Sequence, residues 1–504
     1  MKKYFWIIFA TLPLAGSSCK KDFLELSQNP NVPTVTTPGL ALSGALKTTA
    51  DIVNGPGYVM YACWDGYMSW STGFQPNVAL LSYQITSATY DVWTAPYLNI
   101  ANYNAMYNST KEPYFQAMAK IMEVYDFQGL VDNYNDVPYT QALKGTAVLN
   151  PTYDKGSAIY DDLIVQLDAA IKLIQNAPSS AANPGVYDIM YGGKMSNWLK
   201  FANTLKLRIA LRQSNISSKT AALKAAIQAT QSIGYLDATN PAVVNPGYLN
   251  SDAYGGQESP LWQNYGFTQN GGAQADHSQY QANSYGAAAL SKNGDSRDTA
   301  VYTTTKGVVI STNFGQTTPP SGTPSTVGHG VLKSATMNAV IMSGAEALFL
   351  QAEGVQFGYI TQSASTPEQL YDAGILASYE DDYVVNTVDA NGNASINKSA
   401  TDAAAAVYIA NVPYPTDGTA AQQEQAIITE KWKALAIYGA FEAFNELRRT
   451  GYPNDIPLSS YPGANPPNNI ARIPYPDVEY RTNSGNVAAE GTINVFTSKI
   501  FWAQ

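Results

Sequence analysis

Apolar residues along this chain return mostly at steps of three and four. The clearest run is "AIYDDLIVQLDAAIKLI", in which Ile159, Leu163, Ile164, Leu167, Ala170, Ile171 and Ile174 line one side of a helix. The same period predicts helices over about 40–54, 98–108, 114–130, 196–213, 219–231, 338–358, 366–380, 401–411 and 422–450. Ser196 is placed to cap the helix beginning there, and Gly451 with Pro453 to stop the last one. No long alternating pattern competes, although "GVVIST" at 307–312 reads as a short strand or hairpin arm. The expected class is therefore mainly α. Neighbouring helices joined by short turns suggest stacked helix pairs resembling tetratricopeptide repeats, without the roughly 34-residue self-similarity of regular ones.

Two stretches lack the period. Residues 232–337 and 453–495 are rich in Gly, Pro, Asn, Gln and Tyr, and read as loop. Loops of that length in a compact protein are functional or disordered, and their aromatic content argues against disorder.

The start of the chain has a different pattern. Met1-Lys2-Lys3 precede a mostly apolar run from Tyr4 to Ala15, which fits a signal peptide and is too short to span a bilayer. Gly16, Ser17 and Ser18 lead into Cys19, so cleavage before Cys19 would leave its thiol free to carry a lipid. The place three residues before the cysteine is Gly16, where such signals usually have Leu. The alternative is an ordinary secretory signal cut near Ala15 or Ser18. The chain thus divides into a signal at 1–18, a lipidated leader at 19–35 and one domain over 36–504 with loop-rich insertions. No later apolar run reaches the length of a membrane helix.

Composition narrows the chemistry. The formal charge is −10, which disfavours nucleic acid as a partner. Charged residues are only 13% while Tyr numbers 35, so neutral, polar, aromatic surfaces are available for neutral ligands. Sugars fit, because their C–H faces stack on rings and their hydroxyls take amide and carboxylate partners. The two histidines, His277 and His329, lie in separate loop segments and make no zinc pattern. No G-x-S-x-G elbow or phosphate loop is present. "DANGNASIN" at 389–397 offers oxygen ligands but lacks the EF-hand Gly and closing Glu, and reads as an Asx-rich turn. No metal or cofactor is expected. Glu346 and Glu353 share a helix face, and Arg448 and Arg449 follow Glu442 and Glu446; both sets read as structural pairing.

The binding candidates are aromatic. Tyr58, Trp64, Tyr67, Trp70, Phe74 and Trp93 cluster early, and Trp262, Tyr265 and Tyr285 fall in the long loop. Asn77, Gln263, Asn264, Gln274 and Asp276 could supply directional hydrogen bonds. Tyr61, Trp64 and Met68 fall at helical steps, so part of this set is core. Trp262, between Pro260 and Gln263, is the ring most suited to stacking on a ligand.

Several motifs together, spread from end to end, carry a resemblance: "CKKDFLELSQNPNVPT" at 19–34, "LVDNYNDVPYTQAL" at 130–143, "YGGKMSNWLKFANTLKLRIALR" at 191–212 and "DSRD" at 295–298. "MSGAEALFLQAEG" at 342–354, "ITEKWKALAIYGAFEAFNELRRTGYP" at 428–453 and "RIPYPDVEYRTN" at 472–483 complete it. In their order and spacing the chain resembles the SusD/RagB family, outer-membrane nutrient-binding lipoproteins of Bacteroidetes. The resemblance implies an α-α superhelix with loops over one face forming a ligand site, and no catalytic activity. It implies a lid on a SusC-like TonB-dependent barrel that captures oligosaccharides or peptides and delivers them to it. A lipid on Cys19 would hold the lid near its pore at high effective concentration. A lipid-anchored glycoside hydrolase and a helical scaffold for other envelope proteins are the alternatives.

Overall fold

The computed structural model describes residues 36–504. Cys19 and the 1–18 and 19–35 segments lie outside the described residues. Pro38–Gln504 forms one unit built on a stack of helices. Helix Pro38–Val53 packs on Thr94–Ser109, which packs on Pro113–Tyr134, then Gly156–Gln175, Met195–Arg212 and Gly344–Gln356. Gly344–Gln356 in turn holds Pro367–Asp381 and Ala420–Ala434, and Lys398–Asn411 closes on Pro367–Asp381. Consecutive helices are spatial neighbours, so the body is a mainly α stack of helix pairs. Helix Pro113–Tyr134 is buried on almost every side because Gly156–Gln175 and Thr94–Ser109 flank it. Capping boxes at Thr366/Gln369 and Thr419/Gln422 start two of the later helices, each satisfying two end amides reciprocally.

Four local expectations are corrected. Ser196 lies inside the first turn of Met195–Arg212, whose N-cap position is Lys194. The preceding turn is organised instead by Asp188, which accepts from the backbone of Met190, Tyr191 and Gly193 and from the Trp198 indole. The run over 338–358 begins as a strand, Ala339–Met342, paired antiparallel with Ala242–Val244; a short, fully apolar run does not distinguish strand from helix by period. The 422–450 run is two helices, Ala420–Ala434 and Ala440–Thr450, parted by a turn in which Ile437 takes a φ of +69°. Residues 307–312 form isolated bridges rather than a strand, Thr305 to Val308 and Asn283 to Thr312. Gly451 does end the last long helix, in the left-handed conformation with its N–H on the Leu447 carbonyl.

The irregular segments hold one another. Strand Met68–Trp70 pairs antiparallel with Tyr280–Ala282, and the Ser69 hydroxyl and Gln281 amide both reach Thr312. Ser460 N–H bonds to the Phe314 carbonyl, Ser459 N–H to the Tyr83 hydroxyl and the Asn469 amide to the Trp64 carbonyl. Segments far apart in sequence are thereby sewn over the helical body. The long loop also contains short helices, Pro260–Tyr265 and Ser284–Ala289 among them. The Asx-rich stretch is the turn of a hairpin, Asn386–Val388 with Ala394–Ile396. There Asp389 accepts from the backbone of Asn391 and Asn393 and from the Asn393 amide.

Candidate functional site

The structure sorts the sequence-selected side chains into three groups. Trp64, Tyr67, Trp93, Trp262 and Tyr265 are in the interior, none more than 5% exposed. Trp64 packs against Tyr61, Tyr83 and Tyr90, and Trp93 against Tyr97, Tyr134 and Tyr475. The Tyr67 ring stacks on Trp432 at 4.6 Å and its hydroxyl donates to the Trp432 carbonyl. Trp262 faces inward from helix Pro260–Tyr265 and gives its indole N–H to the Phe267 carbonyl at 2.8 Å. Tyr265 meets Tyr280 edge-on. In this structure no face of these five rings is open to a ligand; their large apolar area serves packing.

A second group makes loop contacts. Gln263 donates to the Glu258 carbonyl and Asn264 to the Asn54 carbonyl. Asp276 donates its N–H to the Asn264 carbonyl, and partial burial raises its carboxyl above the ordinary value.

Trp70 and Tyr285 form the third group, half-buried and facing outward, and the strand pair connects them. Trp70 meets Tyr280 edge-on at 5.3 Å and donates to the Gln75 carbonyl, beside exposed Phe74. Tyr285 follows the partner strand and lies against Gly66. Its own left-handed φ of +80° favours Gly there, and a Cβ would also strike the Tyr285 ring.

Tyr285 opens onto a cleft of about 600 Å³. Its sides come from Ala288 to Asn293, Val412 to Pro415, the outer face of Ala420–Ala434 and Pro453 to Asp455. The lining is mostly neutral: half-buried Tyr285, the amides of Asn293, Gln422, Gln425 and Asn454, and Thr429, with Tyr371 buried behind and its hydroxyl on the Val412 carbonyl. Of the two carboxylates lining it, Asp455 accepts the Tyr285 hydroxyl at 2.5 Å, while Glu430 accepts from Arg297 at 2.8 Å and Tyr408 at 2.7 Å. Lys433, also lining, pairs with Glu430 at 3.2 Å and Asp295 at 3.3 Å. Burial pushes Asp295 up, but Arg297 and Lys433 outweigh it and hold its carboxyl below the usual range. At the floor Glu430 and Lys433 thus belong to a closed ionic network, and the groups left to a ligand are the Tyr285 ring, amides, a hydroxyl and two exposed charges of opposite sign, Lys292 and Asp455.

Tyr371, Gln422, Gln425, Asn454 and Asp455 were not selected from the sequence. Their only signal there is the Asn/Pro/Tyr texture after residue 453, since the others lie on helices whose outer faces look like ordinary solvated surface. Among the described residues no group of three or more His, Cys, Asp or Glu is arranged to hold a metal ion. No helix there is long and apolar enough to cross a membrane.

No curated protein matches the chain. Among solved structures, a chitin-binding SusD homolog from Flavobacterium johnsoniae superposes with a TM-score of 0.70 at 23% identity, over 92% of this chain and 98% of that one. A SusD homolog from Bacteroides uniformis gives 0.70 at 20% identity over 92% and 99%. A SusD-like protein from Bacteroides thetaiotaomicron gives 0.68 at 22% identity over 91% and 98%. These likenesses establish a shared fold. Residues 30–476 match the family model described as SusD-like, starch-binding and associating with the outer membrane, and on that match over most of its length the chain belongs to the SusD-like family.

Proposed function

We propose that this chain is an outer-membrane lipoprotein, anchored through Cys19 at the end of its leader, that captures oligosaccharides and passes them unaltered to a SusC-like TonB-dependent barrel. The observation that carries this reading is the Tyr285 cleft. It offers the Tyr285 face and neutral amides, while its buried acid Glu430 is held by Arg297 and Tyr408 and its exposed acid Asp455 accepts the Tyr285 hydroxyl. Two carboxylates free to act as acid and base or nucleophile, which glycoside hydrolysis requires, are not what its walls present. Family membership and the chitin-binding relative favour a glycan as the occupant. Trp70, at the end of the strand pair, and exposed Phe74, in the turn after it, add aromatic surface available to a longer chain.

The test is titration of the purified protein with maltooligosaccharides and chitooligosaccharides, with released reducing ends assayed in parallel. Binding without release is expected. Tyr285→Ala should weaken it by about 1–2 kcal/mol, roughly five- to thirtyfold in Kd, because the ring supplies the stacking face. Release of reducing ends would make the protein a hydrolase, and unchanged affinity in the variant would move the site elsewhere.

A further inference from the structure

A second cleft, of about 360 Å³, shares no lining residue with the first. One side is apolar, built by Val243, Leu261, Met337 and Val340. Its charged lining residues are Lys333 and Asp381. The Lys333 ammonium stands 4.7 Å over the Tyr383 ring, and among the described residues it has no carboxylate within salt-bridge distance. Asp381 has no cation within that distance either, and its Oδ2 finds no donor in the protein. Behind it Asp382 is 1% exposed, with neither carboxylate oxygen bonded to a donor.

Elsewhere in the interior Arg297 and Arg449 are each held by carboxylates on two or more sides, while Asp65 and Glu258, like Asp382, have no donor in the protein; this cleft is where an ammonium and a carboxylate without a direct salt bridge line one cavity. Lys333 is half-buried and the Asp381 Oδ2 is shut off from water and donors, and the two attract each other only from beyond salt-bridge distance, so the cleft is complementary to a ligand bearing both charges reversed. A neutral sugar would leave both unmet. The apolar wall asks for a hydrocarbon group on the same ligand.

We propose that this cleft binds a free α-amino acid with an apolar side chain, its carboxylate on Lys333, its ammonium on Asp381 and its side chain against Val243, Leu261 and Met337. The site is separate from the glycan cleft, so the two readings stand or fall independently.

Calorimetric titration of the full chain with L-leucine tests it, alongside leucinamide, which lacks the carboxylate, and N-acetyl-leucine, which lacks the ammonium. Leucine should bind, and each analogue should bind at least about tenfold more weakly, the loss of one charge-assisted contact. Lys333→Met should weaken leucine by a similar factor and leave leucinamide unchanged, and Asp381→Asn should do the same for leucine and N-acetyl-leucine. The analogues make the test independent of how well either variant folds. No heat of binding at about 10 mM leucine, or leucine affinity indifferent to both substitutions and both analogues, would overturn the proposal. Tighter binding of leucyl-leucine than of leucine would also overturn it, in favour of a peptide.

Discussion

Asp382 is a carboxylate cut off from both water and hydrogen-bond donors. It is 1% exposed, and burial pushes its carboxyl up to about 8 against the pull of Arg297 and Lys333. An aspartate in the unfolded chain titrates near about 3.9. Between those values the folded state keeps a proton that the unfolded state has lost. The stability this group contributes is therefore full below about pH 4 and is lost as pH rises towards 8. Asp382→Asn cannot ionise, so its urea-unfolding free energy relative to the parent should rise across that window, by at most about 1.4 kcal/mol per pH unit. Parallel curves for the two proteins would rule this out. At this scale the sequence was a poor guide to position. Trp262 looks like a loop ring beside a proline, yet Pro260 starts a short helix that turns the indole inward. Trp70 and Tyr285 could not be told from Trp64 and Tyr67 without the strand pairing that sets which rings face out. Lys333 and Asp381, 48 positions apart, carry no motif at all.

Helices were far more legible, because a period of three to four survives wherever one face is buried. Pro38–Val53, Thr94–Ser109, Gly156–Gln175 and Pro367–Asp381 each fall close to the span their spacing predicts. The period failed where tertiary contacts set the backbone, above all at the break between Ala420–Ala434 and Ala440–Thr450. That break lets the second helix bring Glu442, Glu446 and Arg449 against Met195–Arg212 and Gly344–Gln356. Arg449 holds Glu353 at 2.7 Å and Glu446 at 2.5 Å, Lys431 holds Glu446 at 2.9 Å, and Arg208 holds Glu346 at 3.2 Å. The expected support within the helix is present in Glu446–Arg449, but Glu442 pairs instead with Arg208 and Arg212 of another helix. Burial pushes Glu446 up, yet Arg449, Lys431 and Arg212 together hold it well below the ordinary range. Arg449→Met would strand Glu353 in the interior and leave Glu446 to Lys431 and Arg212 alone, and equilibrium denaturation should register a loss of about 3–5 kcal/mol. Adding Glu353→Met should recover part of it, since the second substitution removes one stranded charge. A neutral single variant would mean that water reaches this network.

For the whole molecule, the order of motifs along the chain was enough to anticipate the family and its helical stack, while the packing of the loops was not. Tyr285 is brought to the cleft by the pairing of 68–70 with 280–282, by Gly66 against its ring and by Asp455 on its hydroxyl, contacts that have no periodic trace in sequence. The composition has a consequence at this scale as well. The protein is acidic, with a formal charge of −10, yet the cleft's buried charges compensate one another, and the two exposed charges on its walls, Lys292 and Asp455, are of opposite sign among otherwise neutral groups. Binding that rests on ring stacking and amide hydrogen bonds to an uncharged glycan has almost no long-range Coulomb component for salt to screen. Raising ionic strength from about 0.01 M to about 1 M shortens the Debye length from about 30 Å to about 3 Å. Across that range the Kd for a neutral oligosaccharide should stay within about a factor of two, as read by intrinsic tryptophan fluorescence or calorimetry at fixed pH. An anionic glycan would be repelled by the protein's net charge at low salt and bind more tightly as salt is added. A cationic one would weaken instead, so the sign of the salt dependence reads out the charge of the natural ligand before its sugar sequence is known.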